Sequence, residues 1–398
     1  MILDKLFQLM ADKHASDIFI SAGVPIHIKI QGNTFPVNQQ VMDPAMIEKI
    51  AMELMSTDQQ RLFEATMEMN LSFGVPGIGN FRVNLFRQRA SISIVVRYIL
   101  GNIPALDTLS LPPVLSELIM EKRGLILIVG ATGSGKSTTI ASMLDYRNAH
   151  RSGHILTIED PIEFLFKHKK SIVNQRELGM DTLGWEPALK NAMRQAPDCI
   201  LIGEIRDKET MQAAIAYAQT GHLCLATLHA NNSYHALNRV INFFPLDTRT
   251  SLYLDLSASL KAIVSQRLVK RPDGKRTPAA EVMLNTRHVQ ELIERGEVLA
   301  VKEAMEQSLA PGSQTFEQDL FRLYREGVIT LDEALANADS PTNLSWLINN
   351  SEITTSSQNE TLRIESPLDF SETDDNGTSF KEFTLSLNDA DDDANHGQ

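Results

Sequence analysis

Residues 130–137 read GATGSGKS, which fits the spacing G-x-x-x-x-G-K-[ST]. Glycines in such a run let backbone N–H groups converge on phosphate oxygens at the start of a helix. An apolar strand pattern precedes the run and a helix pattern follows, as that chemistry requires. Gly130, Ala131, Thr132, Gly133, Ser134 and Gly135, with Lys136, Ser137 and Thr138, therefore form a candidate cradle for the phosphates of ATP. Lys136 is spaced to reach the β- and γ-phosphates, and Ser137 to ligate Mg²⁺.

Hydrolysis also needs carboxylates near the γ-phosphate. The run CILIGE ends in Glu204, suited to organising Mg²⁺ or its waters, and HILTIEDPIEF places Glu159, Asp160 and Glu163 just past another apolar tip. In a parallel sheet both tips share the edge that carries the phosphate loop. TGHLCLATLHANN sets His222 and His229 at the two ends of a fourth apolar run. His229 leaves that run at the ligand edge and could contact the γ-phosphate. FRVNLFRQRASISIVVR offers Arg82, Arg87, Arg89 and Arg97, and arginine commonly offsets charge on a transferring phosphoryl group. These arginines belong to the first domain, so they either form a solvated strand face or are delivered by that domain to nucleotide held by the other.

Two kinds of element must position these groups. Residues 1–100 read as a small α+β domain. Leu3, Leu6, Phe7 and Met10 share one helical face, unlike a signal peptide. DIFIS and IHIKI follow as strands, with a turn at Gly32 and Asn33. Asp43 with Pro44 looks like an N-cap and first helical residue, and Ser56 with Gln59 has capping-box spacing. FRVNLF and SISIVVRYI alternate as strands. Residues 101–113, rich in Gly and Pro, read as a linker. From 114 to 285, the runs LILIVG, HILTIE, CILIGE and LCLATLH alternate with helical patterns, which argues a parallel sheet with helices on both faces. Residues 286–350 read as helical. Residues 351–398 are acidic and polar, the composition of a disordered tail.

Composition narrows the classes. Hydrophobic residues make up 43% of the 398, ordinary for a soluble globular protein, and no run approaches the ~20 apolar residues of a membrane span. The two cysteines, Cys199 and Cys224, sit in apolar runs, which suits buried thiols in a reducing cytoplasm. The net charge of −13 lies mostly in residues 351–398, where twelve acids face two bases. The near-neutral remainder argues against a nucleic-acid partner.

Four motifs in order, the phosphate loop, TIEDPIEF, CILIGEIRD and TGHLCLATLHANN, resemble those of the type IV pilus retraction ATPases, the PilT/PilU family of the secretion ATPase superfamily. ASDIFISAG, QRLVKR and AAEVM also match, and the likeness spans about residues 1–349. The resemblance implies a PAS-like first domain, a RecA-like second domain and a homohexameric ring. It implies Glu163 as general base, Glu204 as metal-side acid, His222 and His229 as nucleotide-linked sensors, and Arg82 and Arg97 as phosphate-facing arginines. It further implies a place at the cytoplasmic face of the inner membrane, without insertion, acting on a membrane-embedded pilus platform protein. Within the family the stretch from MRQAPDCILIGEIRD to NRVINFFP is similar to the accessory paralogue rather than the main motor. Where the main motor carries an A-I-R box, this chain has Thr286, Arg287, His288 and Val289, which suggests retraction beside a partner retraction ATPase. The acidic tail has no counterpart in the family pattern.

Three other readings remain at this stage. A pilus extension or type II secretion ATPase usually carries a four-cysteine zinc module, which two cysteines cannot build. A non-catalytic ring component fits the altered helical box but not the full set of acids and lysine. A DNA-pumping ring would want a basic stripe that the near-neutral core does not offer.

Overall fold

The computed structural model describes residues 2–30, 32–99 and 102–360. Its first helix, Ile2–Asp12, buries Leu3, Leu6, Phe7 and Met10. They join the core of a six-stranded sheet made of β1 (Asp17–Ile20), β2 (Pro25–Ile30), β3 (Asn33–Val41), β4 (Glu68–Val75), β5 (Gly79–Gln88) and β6 (Ser91–Ile99). The order is β3-β2-β1-β6-β5-β4, antiparallel throughout. The helix starts are chemically specified. Asp43 accepts from the Ala45 N–H ahead of helix Pro44–Leu54, and Ser56 with Gln59 closes a reciprocal capping box on helix Thr57–Thr66. β3 carries no alternating signal because it is exposed along nearly its whole length. The sheet with its helices is the PAS-like α+β part of the fold.

The segment after residue 101 is not loose. Leu106–Leu109 forms a 3₁₀ turn with Leu106 buried, and the Pro104 carbonyl accepts from Ser142 Oγ at 2.7 Å. It leads into the second sheet: β7 (Gly124–Val129), β8 (Gly153–Glu159), β9 (Ser171–Glu177), β10 (Cys199–Ile202), β11 (Leu223–Leu228), β12 (Leu260–Lys270) and β13 (Arg276–Leu284). The order is β13-β12-β7-β11-β10-β8-β9. This is the RecA-like α/β layer, with one difference from the expected all-parallel sheet. β13 pairs antiparallel with β12, because a tight turn around Pro272 and Gly274, the latter at φ +79°, reverses the chain. A turn this short can only join antiparallel strands.

β7 is buried along its length, and its side chains divide between two cores. Leu125, Leu127 and Val129 face one side, with helices Lys208–Gln219 and Ser233–Asn242. Ile126 and Ile128 face the other, with Ile140, Met143 and Leu144 of helix Lys136–His150. That alternation is why a central strand reads as a continuous apolar run. Cys199 and Cys224 are free and buried on neighbouring strands.

Beyond β13 the chain is helical, through Arg287–Arg295, Val301–Glu306, Phe316–Arg325 and Leu331–Asn337 to Pro341–Glu360. The last of these runs ten residues past position 350, where a segment without regular structure is expected from sequence. No Gly or Pro interrupts the chain between Pro341 and Pro367, so nothing stops the helix at 350. The rest of the acidic segment, 361–398, lies outside the described residues. Residues up to 348 pack as one unit, in which the two sheets keep separate hydrophobic cores.

Candidate functional site

The phosphate loop follows β7 and turns into helix Lys136–His150. Gly133 and Gly135 sit at φ +79° and +90°, a region that disfavours side chains. A Cβ on Gly135 would lie 2.8 Å from Gln266 Nε2, and one on Gly130 only 2.5 Å from the Gln266 carbonyl. No side chain caps the helix start, so its first N–H groups remain available to an anion. Lys136 is buried, with Nζ donating to the carbonyls of Gly130 and Ala131 at 2.8 and 2.9 Å. Loss of hydration lowers its pKa, while the carboxylates of Glu204 and Glu163 act in the opposite sense. The residues present thus fit a triphosphate: a glycine cradle, an uncapped helix start and a buried lysine beside two acids.

Because β7, β8, β10 and β11 are parallel, their carboxyl ends deliver side chains to one edge. A cavity of about 220 Å³ there is lined by Thr132, Gly133, Lys136 and Ser137 from the loop, and by Glu159, Asp160, Glu163, Glu204 and His229 from the other strand ends. Glu163 Oε1 accepts from Ser137 Oγ at 2.8 Å. Glu204 is held from two sides, by Arg206 Nε at 2.8 Å and by His229 Nε2 at 3.3 Å. Arg206 also reaches Asp160 at 3.5 Å. Glu159 accepts from Thr157 Oγ1 at 2.6 Å and Gln175 Nε2 at 3.2 Å. Burial pushes its carboxyl up to about 7, against the pull of those two hydrogen bonds.

Three of the residues to which the resemblance gives catalytic or sensing roles lie away from this cavity. His222 precedes β11 rather than following it. The six residues of that strand put it roughly 20 Å from the loop edge. There it faces Thr220 Oγ1 and the Tyr217 carbonyl. Arg82 and Arg97 are register partners on β5 and β6. They line a second cavity, which shares Asp160 and Pro161 with the first. Arg82 forms an ion pair with Glu177 at the end of β9, and Arg97 Nε donates to Asp17 at 2.9 Å. Gly130, Ala131, Ser134, Gly135 and Thr138 shape the loop and helix start without lining the cavity.

Sequence reasoning missed Arg206, Gln175 and Gln266. Arg206 stands two residues from Glu204 in GEIRD, a spacing that could have marked it as a brace. Gln266 sits in QRLVKR, where only the fold brings it to the loop.

A family model for "Type II/IV secretion system protein" matches residues 1–336. The type IV pilus ATPase PilU of Pseudomonas aeruginosa is 49% identical over 349 residues, 87% of this chain and 91% of PilU. PilT of the same organism is 38% identical over 343 residues, 86% of this chain and 100% of PilT. A crystal structure of the pilus retraction motor PilT with bound ADP superposes with a TM-score of 0.80 at 40% identity, covering 86% of this chain and 98% of that one. With a nucleotide cradle, acids at two parallel strand ends and these relatives over most of its length, the chain is an ATPase and belongs to the PilT/PilU family of the type II/IV secretion ATPases.

Proposed function

We propose that this chain hydrolyses ATP to drive type IV pilus retraction, as one subunit of a homohexamer working beside a main retraction motor. The observation that supports it most is the convergence of Lys136, Ser137, Glu163, Glu204 and His229 on one cavity. Lys136 exchanges the carbonyls of Gly130 and Ala131 for the β- and γ-phosphates. Ser137 and Glu204 would hold Mg²⁺, which supplies charge neutralisation at the phosphate oxygens. Glu163 takes a proton from water as the water oxygen bonds to the γ-phosphorus. The bond from that phosphorus to the β-phosphate oxygen breaks, giving ADP and phosphate. His229, against Glu204, is placed to register the loss of the γ-phosphate. A nucleotide role for His222 would act indirectly, through β11.

Arg82 and Arg97 belong to the first of two lobes, residues 1–100, joined through 101–113 to the ATPase core at 114–285 and the helical region at 286–350. Closure of the first lobe brings them to the phosphates, and hydrolysis releases it. Repeated around the ring, that swing acts on a platform protein of the pilus machine at the cytoplasmic face of the inner membrane. No helix among the described residues is long and apolar enough to cross a membrane, so the contact with the membrane runs through that partner. The altered box at Thr286 to Val289 supports the accessory assignment. The similarity to PilU and PilT does not favour a non-catalytic or secretion role.

The test is hydrolysis by purified protein, with and without a main motor, compared with Lys136→Ala. Wild type should turn over ATP, and the variant should lose about a hundredfold or more. Deleting the gene should leave surface pili with impaired retraction, and native mass measurement should give six copies. No turnover by wild type, even with the partner motor, overturns the reading.

A further inference from the structure

One buried amide outside the cavity grips the phosphate loop itself. Gln266 on β12 is 3% exposed. Its Nε2 donates to the Ser134 carbonyl at 2.9 Å, and its Oε1 accepts from Thr139 Oγ1 at 2.7 Å. The orientation of the amide follows from these partners, since a carbonyl can only accept. Ser134 lies in the loop and Thr139 in the first turn of the helix that follows. One side chain therefore ties the loop to the helix that it feeds. The loop also lies directly on this residue: a Cβ on Gly135 would meet the Gln266 amide at 2.8 Å, and one on Gly130 would meet the Gln266 backbone carbonyl and Ser134 Oγ, each at 2.5 Å.

We propose that Gln266 is a positioning residue for the nucleotide phosphates, a role that rests on the ATPase reading of the site. By drawing the Ser134 carbonyl toward β12, it fixes the curvature of the loop before nucleotide arrives. The loop N–H groups then stay directed at the phosphates without reorganising. A primary amide meets a carbonyl and a hydroxyl together. A carboxylate cannot donate, and a thioether does neither well. Ground state and transition state both use the shaped loop, so losing the clamp weakens binding of the two alike. That loss raises KM and leaves kcat nearly unchanged.

The test uses the full chain with Gln266→Met, which keeps length and volume, and Thr139→Val, which removes only the hydroxyl. ADP affinity is measured by calorimetry, KM and kcat by steady-state hydrolysis, and Tm with and without ADP. Gln266→Met should lose about tenfold in ADP affinity, with a matching rise in KM and kcat within about twofold. Thr139→Val should shift affinity in the same direction but less. The double variant should match Gln266→Met, because the hydroxyl acts only through the amide. A lower Tm without ADP combined with unchanged ADP affinity and KM would mean a purely structural residue and overturn the proposal. If Gln266→Met does not fold, Thr139→Val decides by itself, and unchanged affinity there is equally fatal. Wild type that binds no ADP and hydrolyses no ATP would refute the ATPase reading instead.

Discussion

Glu159 shows how one residue can be fixed by its surroundings rather than by its own type. Buried between Thr157 and Gln175, it titrates at about 7 in the folded chain against 4.5 for an unperturbed carboxyl. Between those two values the folded protein holds a proton that the unfolded chain has lost. The contribution of Glu159 to stability is fully present below about 4.5 and disappears as pH rises through about 7. Glu159→Gln, neutral at every pH, should remove that slope. Relative to the variant, wild type should lose on the order of 3 kcal/mol across the window, read by denaturant unfolding from about pH 5 to 8. Equal slopes in the two proteins would show that Glu159 does not titrate there. Nothing in HILTIE distinguishes this acid from the solvated Asp160 beside it. Only burial does, and burial is a tertiary property. The hydrogen bond from Gln175 is likewise invisible in sequence, since that residue comes from β9, sixteen residues on.

At the scale of elements, function follows from four parallel strands ending together. Their apolar runs are legible because each is buried on both faces, and an unbroken apolar run with a polar tip is what such a strand looks like. β9, β12 and β13 are less legible. β9 alternates between buried and exposed positions. β12 and β13 contain buried polar residues, Ser265, Gln266 and Glu281, which break the apolar signal because they serve contacts across the fold. Gly203 marks where the element scale meets the chemistry. A Cβ there would lie 3.1 Å from both the Glu159 Cα and the Ile158 carbonyl. Gly203→Ala should therefore push the end of β10 away from β8 and carry Glu204 with it. The expected result is a folded protein with ATP hydrolysis down by about tenfold or more. Full turnover in that variant would show that the strand end tolerates the shift.

For the whole molecule, the informative contact is Arg82 with Glu177, which joins the first sheet to the second. Under the proposed lobe closure Arg82 would have to leave Glu177 to reach nucleotide, so the pair would compete with closure. Glu177→Gln weakens the grip while leaving an oxygen for the Ile162 N–H that Glu177 now receives. Basal ATP hydrolysis should rise by about threefold to tenfold, and adding Arg82→Ala should cancel the gain. A fall in turnover with Glu177→Gln alone would argue that the pair assists closure rather than opposing it. The sequence marks Arg82 as a candidate phosphate-facing arginine but gives no sign of its ion-pair partner. Its partner lies ninety-five residues away and becomes visible only when the two sheets pack.

The sequence by itself determined the phosphate loop, the acids at strand ends, the caps on the early helices and the layered α/β plan. Each of these is written in residues close along the chain, where glycine conformation, capping chemistry and apolar period act locally. The tertiary structure decided which of the marked residues meet. It placed Lys136, Glu163, Glu204 and His229 in one cavity and gave Arg82 and Arg97 to a neighbouring cleft. It also brought Gln266 under the loop. Those outcomes depend on strand order and on how the elements pack, which bring Gln266 to Ser134 across 132 positions of chain, and no local pattern encodes such a contact.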